Sequence, residues 1–295
     1  MSKRVLVLGG GGSAGNAWLI GVIAGLFDAG LDVTQADLII GTSAGSTAAA
    51  QITSATPAKL LADILADTPL PRTALARSDS GAAAISPATN HMETTGAIIA
   101  AAEDAADMRR RMGAWAIGKD GASNHSTQTQ WRATVAARLP GQHWPQQPML
   151  ITAVDADTGE PVVFDRHSGV DLVDAVAACC AGAFAYSIGN NRYIDGGYRS
   201  DLNADLAAGY GRVLIIPPLG GRTRKPLDWG LHLAAEVDEL CAHGSRVEII
   251  LPDSDSQNAL DVGMNLMDLS ARRPSAQAGY NQGKALARHL TEFWR

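Results

Sequence analysis

Val5-Leu6-Val7-Leu8-Gly9-Gly10-Gly11-Gly12-Ser13-Ala14-Gly15 places a short unbroken apolar run directly against a glycine run. Four consecutive apolar residues of this length read as a strand buried on both faces, the kind found in parallel sheets. From about Gly15 to Ala29 apolar residues recur near helical spacing (Trp18, Val22, Leu26), and Gly30 is placed to cap that helix. The order then repeats. Leu38-Ile39-Ile40 reads as a second buried strand, Gly41-Thr42-Ser43-Ala44-Gly45 as a glycine-flanked turn, and the Ala-rich stretch from Ala44 as a helix. Strand, glycine turn, helix, twice over, predicts an α/β fold whose central sheet is mostly parallel and joined by right-handed crossovers.

Further along, residues 57–147 read as mostly helical, with interruptions near 69–71 and 78–90. Met149 to Val154 and Pro161 to Phe164 flank Asp157-Thr158-Gly159 and predict a β-hairpin. A helix from about Val170 to Cys180 and a short strand ending at Ile194 follow. Strands at Val213 to Ile216 and Val247 to Leu251, and helices at Trp229 to His243 and Ser275 to Trp294, complete the expectation. With no Pro- or Gly-rich linker and no repeat, residues 1–295 are expected to form one domain.

The chain has 295 residues, 46% hydrophobic and 18% charged, with a formal net charge of -6. That is enough apolar sequence for a large core, and the dispersed negative balance argues against a nucleic-acid partner, which wants a basic face. Three cysteines, with Cys179 and Cys180 adjacent, match no disulfide framework or metal spacing and read as small buried hydrophobes. No window is long and apolar enough to span a bilayer, and Val5 to Leu8 is too short for a signal-peptide core, so a cytoplasmic location is expected.

Gly41-Thr42-Ser43-Ala44-Gly45 has the G-x-S-x-G form, in which a sharp strand-to-helix turn lifts a serine Oγ out of the chain. The plain alternative is an ordinary turn with a capping serine. The earlier glycine run has two chemical readings. Gly10, Gly12 and Gly15 fit the dinucleotide fingerprint G-x-G-x-x-G, which also wants an acid closing the second strand. Asp32 and Asp37 lie before that strand, and its end runs into the serine turn instead. In the other reading, Gly10, Gly11 and Gly12 aim unshielded N–H groups at a developing oxyanion. As a base for Ser43, His232, His243 and His289 lie downstream but do not sit in glycine-rich loops after strands. Asp195, in Tyr193-Ile194-Asp195-Gly196-Gly197, is an acid presented at a strand end.

Gly10-Gly11-Gly12-Ser13-Ala14-Gly15, Gly41-Thr42-Ser43-Ala44-Gly45 and Asp195-Gly196-Gly197, in that order, resemble the three signatures of the patatin-like phospholipases. The stretches Arg199 to Asp205, Ala207-Ala208-Gly209 and Val213 to Ile216 resemble its bacterial members as well. The similarity runs from about Val5 to Leu219, with dissimilar sequence between about Asp67 and Gln147. It implies a three-layer α/β/α fold and a Ser43–Asp195 dyad without histidine, cleaving acyl esters of lipids. Gly10, Gly11 and Gly12 would line the oxyanion hole. No metal or organic cofactor is expected, and the partners are a lipid or small ester and transient contact with a membrane surface; the oligomeric state stays open. Two departures are visible: Ala14 where many members have arginine, and Ala181-Gly182-Ala183-Phe184 where many place a proline.

Two other features carry plainer readings. Arg109-Arg110-Arg111 with Met112, Trp115 and Ile117 forms either a membrane-facing edge or, as favoured, an amphipathic core helix with a solvated basic face. Asp253, Asp255 and Asp261 lack the spacing and glycine of a calcium loop and read as a polar turn.

Overall fold

The computed structural model describes residues 3–67, 87–120, 125–261 and 266–295. Strand β1 (Arg4–Leu8) leads into α1 (Gly12–Asp28), and β2 (Leu38–Gly41) into α2 (Ala44–Ile52). Helices α3 (Pro57–Ala66), α4 (Pro87–Ala101), α5 (Ala105–Asp120) and α6 (His125–Ala136) precede β3 (Met149–Asp155) and β4 (Pro161–Phe164). Then come α7 (Leu172–Cys179), β5 (Tyr186–Ile188), β6 (Asn191–Asp195), β7 (Arg212–Ile216), α8 (Leu233–Ala242), β8 (Arg246–Ile249), α9 (Ser254–Leu260) and α10 (Arg272–Trp294).

One sheet takes these strands in the order β5-β6-β3-β2-β1-β7-β8, with β4 paired to β3 off that path. Strands β1, β2, β3, β7 and β8 run parallel, whereas β4, β5 and β6 are antiparallel additions. The period-two geometry of β1 divides its apolar residues between two cores. Leu6 and Leu8 face the large core beneath α1, α2, α3, α7 and α10, and Val5 and Val7 face a smaller one with Val213, Ile215 and Leu240 of α8. These are the helix, sheet and helix layers of a three-layer α/β/α fold.

Helix α1 is apolar almost all round because it is buried almost all round. On its outer side α10 lies at backbone contact. A Cβ added to Gly21 or Gly25 would sit 2.1 Å from the Ala276 carbonyl oxygen or 2.2 Å from that of Tyr280. On α10 the same holds for Gly279 against Trp18 and Gly283 against Val22, at 2.5 and 2.2 Å. Glycines four apart on both helices make a smooth stripe on each.

Most of the expected elements lie where the pattern puts them, and the differences are local. Residues 87–90 are helical, so the interruption expected there ends earlier; the rest of that stretch, and the one near 69–71, fall outside the described residues. Strand β5 has no counterpart in the sequence reading. It closes onto β6 through Gly189-Asn190, with Gly189 at φ 59°, a two-residue hairpin. The helix expected from Trp229 starts at Leu233, because a 3-10 turn over Leu227–Trp229 ends at Gly230 with φ 69°. Helix α5 is the amphipathic core helix expected. Met108, Met112 and Ala116 bury against Val154 and Ile194, while Arg110 and Arg111 pair with Asp107 at 3.6 and 2.7 Å. Asp253 caps α9 by accepting from Ser256 N–H at 2.9 Å, and Asp261 pairs with Arg222 at 3.2 Å.

Candidate active site

Strand order reverses at β1, with β2 on one side and β7 on the other, the place where loops at the carboxyl ends of a parallel sheet diverge. Leu8 and Gly41 are partners in register, so the glycine loop and the serine turn leave the sheet side by side. Strand β3 indexes the third element: Gly41 lies opposite Ile151, and Asp195, at the end of β6, lies opposite Ala153.

Ser43 holds φ 51° and ψ −114°, a strained position for a residue with a Cβ. The flanking glycines are there for contact. A Cβ on Gly45 would sit 1.9 Å from the Leu8 carbonyl oxygen, and one on Gly41 2.6 Å from Ser46 Cα. The strained peptide is gripped on both sides. Its N–H donates to Cys179 Sγ at 3.0 Å, and its carbonyl accepts from Ser46 Oγ at 2.6 Å and Cys180 Sγ at 3.2 Å. The two cysteines are therefore more than small hydrophobes: they hold the backbone of the serine turn. Burial pushes both thiols up, that of Cys180 to about 11.

Ser43 Oγ donates to Asp195 Oδ2 at 2.8 Å. Asp195 Oδ1 accepts from Gly197 N–H at 2.8 Å, so both carboxylate oxygens are engaged. Burial raises the Asp195 carboxyl to about 6, against the opposing pull of the Gly197 and Ser43 hydrogen bonds. The loop lacking a proline lies over this acid: a Cβ on Gly182 would stand 3.9 Å from Oδ2, and the Tyr198 hydroxyl donates to the Gly182 carbonyl. Phe184 of the same loop packs edge-on against Trp131 of α6, ring centroids 6.0 Å apart.

The glycine run divides by hydrogen bonding. Gly10 N–H donates to the Asp201 carbonyl at 2.8 Å, so the expectation that it stands free for an oxyanion does not hold. A Cβ at Gly10 would meet only ordinary contacts, the Asp201 carbonyl oxygen and Ser43 Cβ both at 3.7 Å. Among the described residues the N–H groups of Gly11 and Gly12 have no acceptor, and they sit where α1 begins, at the positive end of its dipole. Ala14 leaves no charge in the motif itself, but α10 brings one to its neighbour. Arg272 donates to the Ser13 carbonyl, Ser13 Oγ and Asn16 Oδ1 at 3.1, 3.2 and 3.3 Å.

Behind these elements stands Asn203, fully buried and left-handed at φ 54°. Its Nδ2 donates to Thr42 Oγ1 at 2.9 Å and the Ser200 carbonyl at 2.7 Å, and reaches Thr152 Oγ1 at 3.3 Å and the Gly196 carbonyl at 3.4 Å. One amide thus ties the serine turn, β3 and the acid turn. The histidines stand apart. His232 precedes α8 rather than lying inside it, His243 caps its end with Nδ1 2.8 Å from the Glu239 carbonyl, and His289 is on α10. Among the described residues no histidine hydrogen-bonds Ser43 or Asp195.

No curated protein matches the chain. The family model described as patatin-like phospholipase matches residues 6–208. That span is more than half of the chain and takes in the glycine loop, the serine turn and the Asp195 turn; this protein belongs to the patatin-like phospholipase family, a family of lipid acyl hydrolases.

Proposed function

We propose that the protein hydrolyses carboxylic esters of lipids through a Ser43–Asp195 dyad and an acyl-enzyme. The observation that carries this reading is the 2.8 Å hydrogen bond from Ser43 Oγ to Asp195 Oδ2. A carboxyl raised to about 6 is ionised at neutral pH, yet is more basic than an exposed aspartate, which suits a general base. As Oγ attacks the ester carbonyl carbon, Asp195 takes its proton and the carbonyl oxygen becomes an oxyanion. Gly11 and Gly12 N–H groups, aided by the dipole of α1, stabilise that charge. Collapse of the intermediate breaks the ester C–O bond, and Asp195 returns the proton to the leaving alcohol. Water, activated by the same carboxylate, then releases the acid and restores Ser43.

Residues 1–295 act as a single domain in this reading, with 67–147 as an insertion; one sheet that takes strands from Arg4 to Ile249 supports it, as do helices α4, α5 and α6 among the described residues of the insertion. The competing nucleotide-binding reading wants an acid at the carboxyl end of β2, where Gly41-Thr42-Ser43 stands instead. A fluorophosphonate probe separates the two. It should label the wild-type protein and leave Ser43→Ala unlabelled and inactive with an unchanged circular dichroism spectrum. Labelling of Ser43→Ala at the wild-type rate removes Ser43 from the mechanism.

A further inference from the structure

Lys225 is 8% exposed, an unusual place for an ammonium group, which is costly to bury without partners. Its Nζ donates to the Gly197 carbonyl at 2.7 Å and lies 3.6 Å from Asp201 Oδ1. Both partners belong to the proposed catalytic apparatus. Gly197 is the residue whose N–H donates to Asp195 Oδ1, so the lysine holds the far side of the peptide turn that holds the carboxylate. Asp201 is the residue whose carbonyl accepts Gly10 N–H, so the same ammonium also braces the glycine loop.

The segment that delivers Lys225 is itself anchored. Lys225 N–H donates to Thr223 Oγ1 at 3.2 Å, and neighbouring Arg224 donates to the Met92 carbonyl at 2.7 Å and Thr95 Oγ1 at 2.9 Å, both on α4. The helical insertion thereby supports the loop that supports the acid. Lys225 also lies beyond residues 6–208, outside the span the family model matches.

We infer that Lys225 is a positioning residue for the Ser43–Asp195 pair, fixing the acid turn through Gly197 and the glycine loop through Asp201. The inference rests on the dyad reading. Around Asp195 stand Ser43 from the serine turn, Cys179 at the end of α7 and Cys180 just past it, Tyr198 from its own turn, Asp201 and Lys225. The charge of Arg224 also acts on Tyr198. In this ring Asp201 raises the carboxyl and Lys225 lowers it, so removing either should move the acid limb, and in opposite directions.

The test first confirms that wild-type protein is labelled by fluorophosphonate; failure there sinks the dyad reading and is seen before any Lys225 variant is made. Turnover of a short-chain p-nitrophenyl ester is then followed across the acid limb for Lys225→Met, Lys225→Arg and Asp201→Asn. Lys225→Met should lower kcat by roughly tenfold with KM unchanged and raise the limb by about half to one pH unit. Lys225→Arg should restore the limb, and Asp201→Asn should lower it. A folded Lys225→Met enzyme with wild-type kcat and an unmoved limb overturns the inference. If Lys225→Met does not fold, Asp201→Asn decides, and a limb that stays or rises there overturns it equally.

Discussion

Ser43 Oγ and Asp195 Oδ2 meet at 2.8 Å from positions 152 residues apart, and no local sequence feature links them. Their meeting is a matter of register. Strand β3 places the end of β2 opposite Ile151 and the end of β6 opposite Ala153, so a parallel and an antiparallel strand finish almost abreast. Rate and stability should both report on this geometry.

With a carboxylate as base, Asp195→Asn should cripple hydrolysis, because an amide cannot take the serine proton. His232→Gln, His243→Gln and His289→Gln should each retain most activity. For the wild-type enzyme, kcat/KM should fall as pH drops through about 6, the raised value of the Asp195 carboxyl. An active Asp195→Asn beside a dead histidine variant would reassign the base.

The same acid should cost stability. Its carboxyl is raised in the folded protein, so between roughly pH 4 and 6 the folded state binds more protons than the unfolded one. The contribution of this group to stability therefore declines as pH rises through that window and stays low above it. Asp195→Asn, which carries no charge to bury, should melt a few degrees above wild type at about pH 8, with the gap closing toward about pH 4. Thermal melts at the two pH values check this, and a gap that widens on acidification contradicts it.

Glycines of the loop should differ in their tolerance of alanine. Gly10 has room for a Cβ and its N–H is already engaged, so Gly10→Ala should fold and lose only a few-fold in kcat. Gly12 has φ 62°, its added Cβ would sit 2.8 Å from the Leu266 carbonyl oxygen, and its N–H is an available donor. Gly12→Ala should lose about one hundred- to a thousandfold in kcat. Steady-state kinetics on protein whose circular dichroism matches wild type give the comparison; equal losses would refute the division.

Asn203→Ala removes a buried amide that serves three elements and takes its two N–H donors from a cluster formed by Thr42, Thr152 and the Ser200 and Gly196 carbonyls. The expected loss is on the order of 2–4 kcal/mol, read as a lower urea midpoint with little change in slope. A midpoint within error of wild type would show that water replaces the amide at no cost.

The three thiols should sort themselves by environment. Cys241 is exposed, whereas burial raises Cys179 and Cys180 away from thiolate formation. Iodoacetamide at about pH 8 should modify one cysteine per native chain and all of them after denaturation. Rapid modification of Cys179 in the native protein would be incompatible with its place against Ser43.

What the sequence discloses here is what local chemistry encodes. Val5 to Leu8 and Leu38 to Ile40 can scarcely be anything but buried strands, and Gly41 and Gly45 announce a turn that no side chain fits. Asp195 is visible through its two glycines. Features that arise from packing at a distance are silent. Cys179 and Cys180 look like any pair of small residues until α7 lays them against Ser43. Lys225 looks like a surface cation until its loop folds under Gly197, and Asn203 shows nothing of its left-handed backbone. Gly21, Gly25, Gly279 and Gly283 make sense only as a pair of stripes, and each stripe is unreadable without the other.

That pair of stripes also sets a schedule. Helix α1 is complete at Asp28, but the helix that covers Trp18 and Val22 begins only at Arg272. At ribosomal speeds of ~5–20 residues per second, on the order of ten to fifty seconds of synthesis separate them. Throughout that interval the flank of an apolar helix waits for its cover. A message cut short before Arg272 would yield a chain that holds Ser43 and Asp195 yet exposes the flank of its first helix. Such a product belongs to chaperones and proteases, however complete its proposed dyad.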